Sequence, residues 1–170
     1  KKLFGCVCAI KQTKGRGTHG KKWISKAGNL FLSIFFPFKK KYPHFSEFSV
    51  INPVIISKVV KKFCDKRKIS FKWPNDVFVD GKKICGILQE VITSNNIKYL
   101  IIGIGINTQL SPKIKNKYKA TSIYLETGKK ISNLELIKLI LLQYENFFKN
   151  LNSYNFIKFK NKANLIIENK

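Results

Sequence analysis

Asp76-Val77-Phe78-Val79-Asp80-Gly81-Lys82-Lys83-Ile84-Cys85-Gly86-Ile87-Leu88-Gln89-Glu90 is the stretch that decides the fold. Two runs rich in β-branched and aromatic residues flank Asp80-Gly81, a dipeptide suited to a type I′ hairpin because both central positions of that turn need positive φ. A two-residue loop fixes the register. Val79 then opposes Lys82, Phe78 opposes Lys83 and Asp76 opposes Cys85, which puts Asp76, Phe78, Lys83 and Cys85 on one face with a carboxylate and an ammonium diagonally adjacent. Gly86, where the return strand passes them, leaves room for a ligand against the backbone. Taken alone the segment is an ordinary hairpin with Lys82 and Lys83 solvated at its tip; its neighbours reverse that reading.

One neighbour is Ile101-Ile102-Gly103-Ile104-Gly105-Ile106-Asn107, an apolar strand with glycine at alternate positions. The face shared by Gly103, Gly105 and Asn107 is therefore flat with an amide at one end, a surface that suits a flat fused ring better than core packing. Another is the loop Gly15-Arg16-Gly17-Thr18-His19-Gly20. Its glycines free backbone N–H groups to approach an anion, and Lys14, Arg16, Lys21 and Lys22 add charge that suits polyphosphate. It fits neither GxxxxGK[ST] nor GxGxxG, so a P-loop or Rossmann site is not supported. A flexible basic loop is the commoner fate of such a segment. Trp23 beyond it reads equally as a core residue or as an indole that closes over a base.

The order GRG-x-x-G-x-x-W, Lys72-Trp73-Pro74-Asn75-Asp76, a hairpin ending K-x-x-G-I-L-x-E, and G-I-G-I-N resembles the catalytic domain of biotin–[acetyl-CoA-carboxylase] ligases over roughly residues 6 to 165. The resemblance implies an α+β, class II synthetase-like fold. It also implies a reaction in which biotin carboxylate attacks the α-phosphate of ATP, giving biotinyl-5′-adenylate and pyrophosphate, before a carrier-protein lysine takes the biotinyl group. By this likeness Lys83, Arg16 and Asp76 are the catalytic candidates. Gln12, Gly15, Arg16, Gly17, Thr18, Lys83, Gly86, Gly103 and Gly105 would line biotin or the acyl-phosphate, and Lys21, Trp23, Lys72, Asn75, Asp76 and Asn107 would serve the nucleotide. The implied cofactors are ATP and Mg2+, with Asp76 touching the metal through water. The implied partner is the biotin carboxyl carrier protein domain of acetyl-CoA carboxylase or of another biotin enzyme, and a homodimer is open.

Those residue types suit the chemistry. Adenylation brings two anions together, so cations such as Lys83 and Arg16 must neutralise the carboxylate and phosphate while charge moves to pyrophosphate. No protein nucleophile is required, and a carboxylate near the acyl-phosphate, again Asp76, can help deprotonate the acceptor lysine. Where many members of the family carry a second arginine in GRGRxG, this chain has Thr18-His19, a neutral hydroxyl and a titratable ring; His19 reads as a solvent-exposed loop histidine.

The 170 residues, 44% of them hydrophobic, suit one domain. Strands are expected at 6–11, 29–36, 69–73, 76–80, 83–92 and 97–107, with helices at 46–67, 133–150 and 154–162. This succession gives a mixed, largely antiparallel sheet backed by helices. Against the family, the Ser/Thr-Asn opening, the C-terminal SH3-like domain and the N-terminal DNA-binding domain are expected to be absent, so residues 1–170 read as a single catalytic domain truncated at the N-terminus.

The net charge of +24 raises a nucleic-acid module as an alternative, but the charge is almost all scattered lysine and specific binding is not expected. A lipoate or octanoate ligase or transferase of the same fold is the other alternative. Cys6, Cys8, Cys64 and Cys85 lack metal spacing and read as buried free thiols in a reducing, cytoplasmic setting. No stretch is apolar enough to span a membrane. Leu134 to Phe148 is interrupted at helical spacing by charged and polar residues, as in a core-facing helix.

Overall fold

The computed structural model describes residues 4–65, 67–112 and 118–164. In chain order its main elements are β1 (Gly5–Ala9), β2 (Leu30–Pro37), α1 (Phe48–Phe63), β3 (Ile69–Lys72), β4 (Asp76–Val79), β5 (Lys82–Ser94), β6 (Ile97–Ile106), α2 (Ile123–Thr127), α3 (Asn133–Lys149) and α4 (Phe156–Asn164). The strands form one six-stranded sheet in the order β1-β2-β6-β5-β4-β3. Every pairing between these strands is antiparallel. The parallel contact is the isolated bridge between Lys83 and Ala120.

Turn chemistry sets the register where it was expected to. Asp80 and Gly81 take φ of 45° and 72°, the positive pair a type I′ turn demands, and Asn95 and Asn96 do the same between β5 and β6 at 48° and 59°. Val79 opposes Lys82 and Phe78 opposes Lys83, as the two-residue loop requires. Beyond that the expected register fails, because the ladder shifts between Val77 and Phe78 so that Val77 opposes Cys85 and Asp76 opposes Gly86. Ile84 is the extra residue of a β-bulge. The bulge lets the consecutive apolar residues Ile84 and Cys85 both reach zero exposure, and Cys85 joins Val77 in the core instead of sharing a face with Asp76 and Lys83.

The helices cover one face of the sheet. Ile51, Ile55, Val59 and Val60 of α1 and Leu136, Ile140 and Tyr144 of α3 pack with Leu30, Leu32, Ile34, Ile87, Leu100, Ile102, Ile104 and Ile106 in one core. A polar chain crosses it: Tyr144 Oη donates to Asn52 Oδ1 at 2.9 Å, Asn52 Nδ2 to Gln89 Oε1 at 3.0 Å, and Gln89 Nε2 to the Phe45 carbonyl at 3.0 Å. Fully satisfied, such a chain fixes β5 against two helices. Cys64 and Cys85 are buried, but Cys6 and Cys8 are exposed, because β1 is an edge strand that the helix layer does not reach. Burial pushes the Cys64 thiol up to about 11 and Cys85 further still. Among the described residues no helix is long and apolar enough to cross a membrane.

Candidate active site

The uncovered face of the sheet holds a cavity of about 520 Å³. Its floor is a grid set by the ladder. One row runs Phe31, Gly105, Gly86, Asp76 across four strands, the next is Ser33, Gly103, Leu88, and a third contains Ile101 and Glu90. The flat patch is thus wider than the sequence suggested, since Gly86 and Gly105 lie side by side on neighbouring strands. Where two adjacent positions of a sheet carry no side chain, a flat group can lie directly on the backbone.

Chemistry-bearing side chains stand at the rim. Lys83 Nζ lies 2.7 Å from Asp76 Oδ1 with roughly a fifth of each side chain exposed, so the diagonal pair forms as expected despite the bulge. The Lys83 main chain is clamped on both sides: its N–H donates to the Lys119 carbonyl at 2.8 Å and its carbonyl accepts from Thr121 N–H at 2.9 Å. Asn75 closes the same corner, with Nδ2 donating to the Ile87 carbonyl at 2.8 Å and reaching Thr18 Oγ1 at 3.4 Å.

Residues 12 to 25 form a flap over the floor. Gln12 N–H donates to the Ser25 carbonyl at 3.2 Å, and Trp23 N–H to the Gly15 carbonyl at 2.9 Å. Gly15 is required sterically, because a Cβ there would collide with the Trp23 carbonyl and Ser25 Oγ. Ser25 Oγ donates to Gln12 Oε1 at 2.7 Å and so holds the Gln12 amide in place. The flap lays the Trp23 indole on the glycine pair: a Cβ on Gly86 would stand 2.6 Å from its Cζ3, and one on Gly105 would strike its Nε1. Lys83 Nζ sits 5.3 Å from the centre of the ring.

The candidates divide into those the structure gathers and those it does not. Gln12, Arg16, Gly17, Thr18, Lys21, Trp23, Asn75, Asp76, Lys83, Gly86, Gly103 and Gly105 all line the cavity. Arg16, however, is not beside Lys83. Its guanidinium makes a bidentate pair with Glu90, Nη1 to Oε1 at 3.0 Å and Nη2 to Oε2 at 2.7 Å. Glu90 lies four residues along β5 from Gly86, about 13 Å at strand spacing. Asn107 is turned inward at 1% exposure, donating to the Thr121 carbonyl at 2.9 Å, so it supports the segment that clamps Lys83. Lys72 is engaged with Tyr118. His19 is exposed, as expected, with φ of 55°.

Glu90 and Ser25 line or brace the site and drew no role from the sequence, because their partners lie 74 and 13 residues away. Phe31 and Ser33 were hidden in a run that reads as core.

The pattern of the biotin/lipoate A/B protein ligase family matches residues 4–107, from β1 to the end of β6. The chain belongs to that family. Within it, the chain is 31% identical over 163 residues to the bifunctional ligase/repressor BirA of Bacillus subtilis, covering 91% of this chain and 49% of that relative. It is 26% identical over 161 residues to the biotin–[acetyl-CoA-carboxylase] ligase of Paracoccus denitrificans, covering 91% and 67%. Among solved structures, the biotin protein ligase of Aquifex aeolicus in complex with biotin and ATP superposes with a TM-score of 0.81 at 31% identity, over 95% of this chain and 68% of that one. The chain spans about half the length of the Bacillus relatives it matches.

Proposed function

We propose that the chain is the catalytic part of an ATP-dependent biotin protein ligase. The observation that carries this reading is the Asp76–Lys83 pair at the end of a floor made of two side-by-side glycines, inside a cavity roomy enough for a flat bicyclic ring and its acyl tail. Family membership narrows the chemistry to acyl transfer onto a protein lysine. Of the similar proteins named above, those of Paracoccus denitrificans and Aquifex aeolicus are biotin ligases by name.

In the first step a biotin carboxylate oxygen bonds to the α-phosphorus of ATP and the bond from that phosphorus to the pyrophosphate oxygen breaks. Lys83 neutralises charge at the meeting point of the two anions and, released from Asp76, donates a charge-assisted hydrogen bond to the acyl-phosphate. In the second step the amine of a carrier-domain lysine attacks the acyl carbon, the carbon–oxygen bond to AMP breaks, and Asp76 stands where it can take the amine proton. Trp23 and Asn75 would serve the nucleotide, and Thr18, which Asn75 reaches, the acyl-phosphate.

Magnesium accompanying ATP would be held chiefly by phosphate and water, with Asp76, which lines the cavity, contributing through a water. That ion would neutralise phosphate charge. The acceptor we propose is the biotin carboxyl carrier domain of a biotin-dependent carboxylase.

The test is exchange of labelled pyrophosphate into ATP. The proposal predicts exchange that depends on biotin and is not supported by lipoate or octanoate. Exchange driven by either fatty-acyl compound, or none with biotin, would contradict it.

A further inference from the structure

Just before β2 stands a buried polar side chain that the proposed chemistry does not use. Asn29 is 3% exposed, and every hydrogen-bonding atom of its carboxamide is engaged. Its Oδ1 accepts from the N–H groups of Thr108, Gln109 and Leu110 at 3.1, 3.1 and 2.9 Å, and its Nδ2 donates to the Leu110 carbonyl at 2.8 Å and to Asn107 Oδ1 at 3.4 Å. Three main-chain donors that leave the ladder at the end of β6 find their partner there. Asn29 is itself held from outside, since Asn133 of α3 donates to its carbonyl at 3.3 Å and Thr108 Oγ1 donates to the neighbouring Gly28 carbonyl at 2.6 Å.

The strap of residues 119–124 hangs on this turn. Ile123 and Tyr124 N–H donate to the Asn107 and Thr108 carbonyls at 3.0 and 2.9 Å, Ser122 Oγ to the Gln109 carbonyl at 3.1 Å, and Asn107 Nδ2 to the Thr121 carbonyl at 2.9 Å. The same strap grips the main chain of Lys83 on both sides. Leu30, Ile106 and Cys85 lie in one row of the sheet, so Asn29 stands two strands, about 10 Å, from the strand that bears Lys83.

We propose that Asn29 is a positioning residue for Lys83: its carboxamide shapes the turn 107–110, the turn holds the strap, and the strap fixes the backbone from which the ammonium reaches into the cavity. That Lys83 acts on an acyl-phosphate rests on the proposed function; its placement by Asn29 does not.

The fit is specific to an amide. Aspartate, equal in shape, keeps the acceptor for the three N–H groups but sets a second oxygen against the Leu110 carbonyl and Asn107 Oδ1. Rotation of the Asn107 amide relieves that clash and ends its bond to Thr121. Lys83 is then clamped by a strap that is itself loose. A displacement of about 1 Å in a charge-bearing group costs up to about a hundredfold in rate.

The test places Asn29→Asp in the full chain and has two arms. In the first, without ligand, amide hydrogen exchange should show protection at Lys83 and Thr121 falling by about tenfold or more, while Leu100 and Ile102 at the sheet centre keep theirs. Unchanged protection at Lys83 and Thr121 would overturn the proposal. Should the variant not fold, the parent decides: in urea below the unfolding transition, the amides of Leu110, Thr121, Tyr124 and Lys83 should open as one unit, and independent openings would overturn it. In the second arm, biotin-dependent pyrophosphate exchange should fall by about tenfold or more in kcat with KM for biotin and for ATP within about twofold, and the same substitution added to Lys83→Ala should cost less than about twofold. A loss of the same size in the Lys83→Ala background, or a loss confined to KM, would overturn positioning through Lys83. No exchange with biotin in the parent removes the proposed function instead, and the hydrogen-exchange arm alone then decides whether Asn29 places Lys83.

Discussion

Lys82 and Lys83 are consecutive, of one type, and at the tip of one hairpin, yet they belong to different parts of the molecule. Lys82 turns toward the helices and lies 2.6 Å from Glu126, whose side chain is only 4% exposed, while Arg67 lies 3.8 Å from the same carboxylate. Lys83 turns toward the cavity and meets Asp76, which is more open to solvent. The alternation of a strand delivers one cation to the scaffold and one to the cavity. The environments differ accordingly. Glu126 also accepts from Thr121, the residue whose N–H clamps Lys83, so the structural cluster holds Lys83 from behind.

The sharpest way to break this contrast is to remove each lysine in turn. Lys83→Ala should cost about 2–4 kcal/mol in the barrier to adenylate formation while leaving thermal stability within error, because in the proposed mechanism the lost hydrogen bond is charge-assisted and made to the transferring group. Activity within threefold of the parent would take Lys83 out of the mechanism.

Two changes on the cavity side sharpen the comparison further. A Cβ at Gly103 meets only ordinary contacts, the nearest at 3.5 Å, so Gly103→Val should fold and yet weaken biotin binding by about 1–3 kcal/mol through crowding, read by titration calorimetry. Unchanged affinity would mean that the ring lies elsewhere. Thr18→Arg restores the cation of the family pattern and should slow release of preformed biotinyl adenylate by about tenfold or more, measured by dilution and chase. Equal off-rates would mean that His19 or Lys21 already supplies that charge.

On the scaffold side the effect should appear in stability and not in chemistry. Burial by itself raises the Glu126 carboxyl, but hydrogen bonds from Lys82 and Thr121 and the charges of Lys82 and Arg67 outweigh it, leaving the group below its ordinary value. A depressed carboxyl stabilises the fold above its unfolded pKa, and that contribution is lost as pH falls through the folded value. Glu126→Gln should therefore cost about 1–2 kcal/mol near neutrality, and less as pH drops below the ordinary value of 4.5, in urea titrations at several pH values. A loss independent of pH would mean that Glu126 acts by shape alone. The smallest effect is on the thiols: Cys6 and Cys8 should react with a thiol reagent in the native protein, and Cys64 and Cys85 only on unfolding.

What the sequence revealed and concealed follows the same division between local and distant causes. Asp80-Gly81 fixed the hairpin because a type I′ turn is a local requirement, and the alternating glycines of β6 were visible because they break an apolar run. The bulge at Ile84 was not legible. Two consecutive apolar residues read as one inward and one outward until the core shows room for both. α2 spans five residues, too few for helical periodicity, and is defined by its ends: Ser122 Oγ accepts from Leu125 N–H, and Gly128 closes it at φ of 71°. The seat of Trp23, the pairing of Arg16 with Glu90 and the inward turn of Asn107 arise from contacts between distant segments, so the motifs named these residues without placing them.

The central claim is that the cavity face activates a carboxylate and the helix face holds the scaffold. It is tested most directly by biotin-dependent pyrophosphate exchange in Lys82→Ala and Lys83→Ala, both compared at a temperature where each is shown to be folded. The account predicts near-parental exchange in Lys82→Ala and a loss of about thirtyfold or more in Lys83→Ala. Equal losses in the two, or a greater loss in Lys82→Ala, would contradict it.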